Sequence, residues 1–186
     1  MSEFLQLLRS RRTAHDYLPE PIPEGCLERA FEAALAAPNH RMTEAWRFRI
    51  VGPYTRAELF DIYLDIKRSK AGELSPERED QLRAKFMNAA VLLVISRIRN
   101  DDHVIAREDY AALAAAVQNL CLALHAEGVG SKWTTGAVTR DPRTYALTEI
   151  DFDTERIEGF VWVGMAAPGG KPSRRLGIRD IVSELP

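Results

Sequence analysis

Two arginines followed by a hydroxyl residue form the first group in this chain that could do chemistry. Arg11, Arg12 and Thr13 come directly after a short amphipathic segment, residues 4–8. A phosphomonoester requires paired positive charge, and the planar fork of an arginine side chain matches its oxygens. The pattern could therefore form a phosphate site, but arginines at the end of a helix more often simply complement the helix dipole, and the motif alone favours that interpretation.

A second group combines a flat aromatic ring, two hydroxyls and a flexible backbone. Trp133, Thr134 and Thr135 directly precede Gly136. Such a set can pack against a flat ring and hydrogen-bond its polar edge. An ordinary strand end with a buried tryptophan is the alternative, and the residues alone do not decide between the two.

Two further polar segments could contribute to the same site. Asn39 and His40 lie in a loop before a strand, where polar groups can meet the edge of a heterocycle. Arg174 and Arg175 follow a Gly- and Pro-rich turn, and they could return to the anion or form a solvated basic tail. The four histidines show no metal-ligand spacing with each other or with the cysteines, so we expect no metal site.

Hydrophobic periodicity and turn residues predict the elements that would position these groups. Apolar residues recur at helical spacing over residues 27–35. A long helix is predicted from a cap at Asp101 or Asp102 to about Glu127, and Gly128 ends it. Shorter helices are expected near residues 4–9, from a capping box at 55–58, from Ser75-Pro76 and from Asp141-Pro142, and strands at 46–50, 91–95, 130–136 and 159–164.

Composition bounds the class of protein. The chain has 186 residues, of which 46% are hydrophobic and 28% charged, and we expect one domain spanning residues 1–186. The formal net charge of −2 gives no bulk attraction to nucleic acid or to anionic membranes, so neither is expected as a partner. Residues 65–85 carry charges of both signs, which is typical of a solvated face or a mobile flap.

Targeting signals and cysteines indicate a compartment. The N-terminal segment lacks the order of a secretory signal, and the longest apolar stretches are too short to span a bilayer. Cys26 and Cys121 lie among apolar residues of predicted helices, as reduced buried thiols do. We therefore expect a cytoplasmic protein.

Several common catalytic motifs are absent from the sequence. It contains no P-loop, no G-x-G-x-x-G after a first strand, no G-x-S-x-G and no H-E-x-x-H. Their absence disfavours ATP hydrolysis, a Rossmann dehydrogenase and a serine hydrolase.

Four segments, taken in order, resemble the nitroreductase family of FMN-dependent oxidoreductases. They are residues 8–17 with R-R-T and a following aromatic, 33–48 with A-P-N-H through W-R-F, 128–137 with W-T-T-G-A, and 159–164 with G-F-V-W-V-G. The similarity spans nearly the whole chain and is closest to the compact bacterial subgroup. Four motifs in the right order are far more specific than any one of them.

The resemblance implies a fold, a cofactor and a reaction. The fold would be α+β, a mostly antiparallel sheet flanked by helices, built as an intertwined homodimer with two FMN sites at its interface. NAD(P)H would reduce the flavin, and a nitroaromatic, quinone or related acceptor would then take the electrons by a ping-pong mechanism, with no indispensable acid or base side chain. By the same resemblance, FMN would be held by Arg11, Arg12, Thr13, Trp133, Thr134 and Thr135 of one subunit and approached by Asn39, His40 and Met42 of the other, with Arg175 as a further phosphate candidate.

The chain departs from the family pattern at positions that the resemblance places near the flavin. Thr13 replaces the usual serine, and His15 stands where a permanent cation is common, which makes a charge there pH-dependent. Glu44 and Ala45 replace Gln-Pro before Trp46, and a carboxylate near the flavin would disfavour its anionic reduced form. Two alternatives stay open: a flavin-binding carrier or sensor without turnover, and a dimeric interaction protein that has lost the cofactor.

Overall fold

Six α-helices surround a four-stranded sheet in the part of the chain that the computed structural model describes, residues 2–169 and 175–186. The helices are α1 Glu3–Ser10, α2 Cys26–Leu35, α3 Pro53–Ala71, α4 Pro76–Met87, α5 His103–Ala126 and α6 Pro142–Leu147. The strands are β1 Trp46–Ile50, β2 Val91–Ile98, β3 Val129–Thr134 and β4 Glu155–Met165. Each strand that the sequence predicts is found.

The sheet has the order β1-β2-β4-β3, and all three strand pairs are antiparallel. The central strand β2 is buried on both faces, as its run of apolar residues predicts. The edge strand β3 gains a further partner, because Thr13 forms a short parallel bridge with Ser131. The expected α+β class with a mostly antiparallel sheet is confirmed.

The long helix α5 covers one face of the sheet together with α2. Leu113 and Leu120 are completely buried in this layer, which confirms the predicted apolar stripe. The side chain of Asp102 caps the helix by accepting hydrogen bonds from two backbone N–H groups of the first turn. At the other end Gly128 takes a positive φ of 78°, which suits a residue without a side chain.

Helices α3, α4 and α6 cover the opposite face. Leu59 and Phe60 of α3 pack with Phe86 of α4 against the buried residues of β2. The guanidinium of Arg56 is buried in this layer and donates to the carbonyl oxygen of Ala89 at 2.7 Å and to that of Phe86 at 2.8 Å. These bonds hold the start of α3 to the end of α4.

One predicted boundary is wrong. The capping box at residues 55–58 does not start α3, because the helix already begins at Pro53 with Gly52 as its N-cap. Proline has a preset helical φ and needs no donor partner in the first turn, so it starts the helix three residues earlier. The start of α4 is as expected, since the Ser75 side chain accepts from the backbone of Arg78.

Residues 65–85 form a solvated face built from the second half of α3 and most of α4. Arg68 of α3 pairs with Glu79 of α4 at 2.5 Å, and Asp61 pairs with Arg83 at 3.6 Å. Charges of opposite sign therefore link α3 to α4 by ion pairs.

The state of the two cysteines and the apolar character of the helices complete the description of the fold. Cys26 and Cys121 are free and buried, as the sequence predicts. Within residues 2–169 and 175–186, none of the helices combines the length and apolar character needed to cross a bilayer.

Candidate functional site

Four arginines gather around one surface cavity at the C-terminal end of α1. We call them the arginine cluster; they are Arg9, Arg11, Arg12 and Arg175, and with Leu8 they line about 290 Å³. The cluster brings residues 9–12 together with Arg175, a position far along the chain, and the role of Arg175 stays a prediction. Arg174 lies outside the described residues.

Among the described residues, backbone carbonyls and not carboxylates are the partners of Arg11 and Arg12 in this cluster. Arg12 uses one nitrogen, Nη1, to donate to the carbonyl oxygens of Arg9 at 2.6 Å and Arg11 at 2.9 Å. Among the described residues, Arg11, Arg12 and Arg175 form no ion pair with a carboxylate. Such a concentration of guanidinium groups suits an anion with several oxygens.

The positive potential of the cluster reaches a neighbouring histidine. His125 Nε2 lies 2.8 Å from Ser10 Oγ, and burial lowers the pKa of His125, with further lowering by the charges of Arg11 and Arg12. The imidazole is therefore held away from its charged form, which would add repulsion to an already positive region.

A larger cavity of about 930 Å³ continues from the cluster along the edge of the sheet. This edge cavity is lined by Arg12 and Thr13 on one side and by Lys132 and Trp133 of β3 on the other. The two sides are held together because the backbone N–H of Ala14 donates to the carbonyl oxygen of Ser131 at 3.1 Å. The fold thus unites the first and second sequence motifs.

A third cavity of about 230 Å³ lies between the sheet and helices α3 and α4. Its walls are aromatic: Tyr63, Phe86, Phe160 and Trp162 line it, together with Thr134, Thr135 and Gly136. This aromatic cavity shares His15 and Lys132 with the edge cavity, and the edge cavity shares Arg12 with the arginine cluster. Neighbouring cavities in this series therefore share lining residues, and we call the three together the line of cavities, which runs from a cationic end to an aromatic end.

The three residues of the second motif occupy different places along this line. Trp133 is half-buried and packs on the α5 side of the sheet, while its ring lines the edge cavity. The hydroxyl of Thr134 accepts from Trp162 Nε1 at 2.9 Å, which fixes the aromatic wall. Thr135 is exposed at the mouth of the aromatic cavity.

The indole nitrogen of Trp133 is a buried donor that has no acceptor among the described residues. Buried N–H groups in native proteins nearly always have a partner. The indole lies directly against Gly159 of β4, where a Cβ atom would overlap Trp133 Nε1 and approach the carbonyl oxygen of Thr134. A glycine is therefore needed there for the tryptophan to keep this position.

Sequence reasoning did not name the lysines that face these cavities. Lys132 lines both the edge and the aromatic cavity, and Lys85 of α4 lines the aromatic one. Burial lowers the pKa of Lys132, and the neighbouring charge of Lys85 lowers it further, although Asp16 acts in the opposite direction. Strand alternation could have pointed to Lys132, because it shares a face of β3 with Thr134.

The loop with Asn39, His40 and Met42 lies apart from these cavities within one chain. Asn39 Oδ1 accepts from the backbone N–H of Glu44 at 2.9 Å, so its side chain shapes the loop. His40 and Met42 are exposed, and Met42 has 74% of its surface accessible. None of the three lines the arginine cluster, the edge cavity or the aromatic cavity.

Comparison with known proteins identifies the family. The model of the Nitroreductase family matches residues 8–165, which include β1 to β4 and α2 to α6. The chain belongs to the nitroreductase family. The family resemblance read from the four sequence motifs is therefore confirmed.

Relatives match the chain almost from end to end. YfhC of Bacillus subtilis (strain 168), provisionally named an NAD(P)H nitroreductase, is 26% identical over 180 residues, or 96% of this chain and 92% of that protein. A nitroreductase-like protein from Bacillus cereus has a solved structure that superimposes with a TM-score of 0.85 at 22% identity, covering 100% of this chain and 97% of that one.

A second solved structure is that of the FMN- and NADPH-dependent nitroreductase NfnB from sphigopyxis sp. strain HMH. It superimposes with a TM-score of 0.80 at 15% identity and covers 100% of both chains. At these identities the two structural matches establish the fold, and the nitroreductase fold expected from sequence is confirmed.

Proposed function

We propose that this protein is an FMN-dependent oxidoreductase that takes electrons from NADH or NADPH and passes them to nitroaromatic, quinone or related small acceptors by a ping-pong mechanism. The observation that carries the proposal is the line of adjacent cavities that extends from the arginine cluster through the edge cavity to the aromatic cavity. One end of this line suits a phosphate and the other suits a flat ring.

The residues present fit FMN on two independent observations. Arg11, Arg12 and Arg175 of the arginine cluster offer guanidinium groups that form no ion pair with a carboxylate of the described residues, which leaves them available to a phosphate. The buried indole N–H of Trp133, unpaired among those residues, offers a donor for an acceptor atom that the chain does not supply. In the proposed mode Arg11, Arg12 and Arg175 hold the phosphate, and Thr13 contributes its hydroxyl.

The other residues of the line orient and tune the bound group. Thr134 and Thr135 would border the flat ring, and Thr134 is held in place by Trp162. Lys132 would bring positive charge close to that ring, and positive charge stabilises electrons added there. When bound, FMN would supply the two-electron redox chemistry that the side chains of the protein cannot supply. The relationship to the FMN- and NADPH-dependent enzyme NfnB supports this choice of cofactor and donor.

We further propose that the protein works as an intertwined homodimer with two FMN sites. Large apolar side chains are exposed in one chain on α1 and along residues 176–185. They are Phe4, Leu5, Leu8, Leu176, Ile178, Ile181, Val182 and Leu185. So many exposed apolar residues near both ends support burial against a second subunit. The distance of Asn39, His40 and Met42 from the line of cavities supports their contribution from the partner.

An anaerobic titration of the purified protein with NADPH, followed by its visible spectrum, tests the proposal. We expect a bound-flavin spectrum that bleaches in proportion to the NADPH added and recovers when a quinone or nitroaromatic follows. A flavin spectrum that stays oxidised with both NADPH and NADH would instead favour the carrier or sensor. A colourless protein even after FMN addition would contradict flavin binding altogether.

A further inference from the structure

A fourth cavity, of about 420 Å³, lies beyond the aromatic end of the line and is rich in arginine. Its walls include Arg97, Arg140, Arg156 and Glu158, with hydroxyl groups from Tyr110 and Thr135. We call it the anion cavity. It shares Thr135 and Thr139 with the aromatic cavity, so the two are direct neighbours on opposite sides of Thr135.

Arg97 provides the observation that points to a ligand. Its side chain is only 9% exposed, and its Nε and Nη2 atoms donate to Glu158 Oε1 at 3.3 and 3.1 Å. Its remaining nitrogen, Nη1, is buried and has no hydrogen-bond acceptor among the described residues. Leaving a charged donor unsatisfied in a protein interior is costly, and an oxygen atom of a bound anion would satisfy it.

The charges around the anion cavity do not balance. Glu158 is the single carboxylate in its lining, and it already pairs with Arg97 and, at 3.6 Å, with Arg156. Arg140 is exposed and forms no ion pair in residues 2–169 and 175–186. Three guanidinium groups against one carboxylate leave an excess of two positive charges facing a cavity of ligand size.

We propose that the anion cavity binds a carboxylate or phosphate group of the small-molecule reactant that meets the flavin beside Thr135. The proposal rests on the proposed function, because it assigns this position to the electron donor or acceptor. Arginine recognises both oxyanions with parallel hydrogen bonds, so either reactant could carry the group. Neutral reactants would lack this contact, and the enzyme would therefore prefer anionic ones.

Calorimetric titration of the FMN-loaded protein tests the proposal with matched pairs of probes. Benzoate is compared with benzamide for an acceptor carboxylate, and NADP⁺ is compared with NAD⁺ for a donor phosphate. We expect one charged probe to bind at least about tenfold more tightly than its partner, as a charge-assisted hydrogen bond predicts. Preference for benzoate would assign the cavity to the acceptor, and preference for NADP⁺ would assign it to the donor.

Arg140→Ala and Glu158→Gln separate anion recognition from a structural role. Arg140→Ala should reduce the preference for the charged probe about tenfold or more, whereas Glu158→Gln should increase it because a competing carboxylate is lost. The matched control is Arg78→Ala, an exposed arginine on α4 that donates to Gln81 and lines none of the four cavities. The control should leave the preference unchanged.

The FMN dissociation constant, measured for each variant by fluorescence, distinguishes the failure of this proposal from failure of the proposed function. A protein that binds no FMN would contradict the function itself. FMN-loaded protein that binds benzoate no better than benzamide and NADP⁺ no better than NAD⁺, or whose preference Arg140→Ala does not change, would overturn the assignment of the anion cavity.

Discussion

At the scale of single residues, the placement of positive charge is what distinguishes this chain. The arginine cluster lies at one end of the line of cavities, Lys132 and Lys85 lie along it, and the anion cavity lies at the other end. The formal net charge of the whole chain is nevertheless −2. The positive potential is therefore a local property of one surface, and it suits small anionic ligands.

Arg12→Ala should weaken FMN binding roughly 10- to 100-fold, since a charge-assisted hydrogen bond contributes about 1.5–3 kcal/mol. Fluorescence titration with FMN measures the dissociation constant directly. The FMN affinity of Arg12→Lys should lie between that of the wild type and that of Arg12→Ala, because lysine keeps the charge and loses the planar fork. The control Arg78→Ala should bind FMN like the wild type. An unchanged affinity in Arg12→Ala would remove Arg12 from the phosphate site.

At the scale of elements, the pairing of β3 with β4 sets the shape of the site. The register places Lys132 opposite Trp162 and Thr134 opposite Phe160, so both pairs face the aromatic cavity. Trp133 faces the other side of the sheet and rests on Gly159. A substitution at Gly159 would therefore affect the site by displacing Trp133 and β3, and not by removing a contact with a ligand.

Gly159→Ala should destabilise the protein by about 1–3 kcal/mol, because the added methyl group overlaps the Trp133 indole. It should also shift the tryptophan fluorescence and weaken FMN binding. Gly136→Ala is the matched control for stability alone, since no atom lies within 4 Å of the Cβ position there although Gly136 lines the aromatic cavity. Urea unfolding followed by fluorescence compares the two. Equal stability of the two variants would show that the contact between Trp133 and Gly159 accommodates a methyl group without loss of stability.

A second element-scale feature is an ion pair that ties β1, β2 and β4 together. Arg49 of β1 donates to both carboxylate oxygens of Glu155 at 2.5 and 3.0 Å, and Ser96 of β2 donates to the same carboxylate. Burial alone would raise the pKa of Glu155, but the hydrogen bonds from Arg49 and Ser96 outweigh it, so the pKa lies below its usual range. The ionised form is therefore favoured by folding.

Glu155→Gln should lower the free energy of unfolding at pH 7 by roughly 1–3 kcal/mol. A lowered carboxyl pKa stabilises the fold above the unfolded-state value of about 4.3, and this stabilisation is lost as the pH falls through the folded-state pKa. The difference in stability between the wild type and the variant should therefore begin to shrink as the pH falls below about 4.3. Urea unfolding between pH 3 and 7 measures this difference. The exposed Glu20→Gln is the control, and a difference that does not depend on pH would contradict the assignment.

At the scale of the whole molecule, the proposed homodimer makes a prediction that no single chain can test. If FMN lies between subunits, Arg12 of one chain and His40 of the other serve the same site. A mixed dimer of Arg12→Ala and His40→Ala chains would then hold one site with both changes and one site with neither. In the mixed dimers of the refolded sample, we expect close to half of the FMN sites to bind FMN with wild-type affinity.

Mixing Arg12→Ala with Thr13→Ala is the control for this experiment, because both residues would serve the same site from one subunit. That mixture should regain no wild-type site. Titration of bound FMN, with dimers verified by light scattering, counts the sites in each case. Equal FMN binding in both mixtures would show that His40 does not act across the interface, and a monomeric protein would contradict the homodimer.

The sequence alone predicts the elements and singles out two motifs that line the cavities. The stripe on α5, the alternation in β1 and the apolar run in β2 each predicted their element, because hydrophobic periodicity is a local property. The motif at Arg11 to Thr13 and the motif at Trp133 to Thr135 were both recognised, and the fold unites them. Local patterns failed at α3, where proline placed the helix start earlier than the capping box suggested.

What the sequence by itself determined is therefore the family, the order of elements and the residues of two motifs. Only the tertiary structure decided which distant residues meet. Arg97, Arg140 and Arg156 form no motif in the sequence, and Arg175 is separated from Arg12 by most of the chain. Such distant residues come together because the long-range register of antiparallel strands is set by packing of the whole core, which no local pattern encodes.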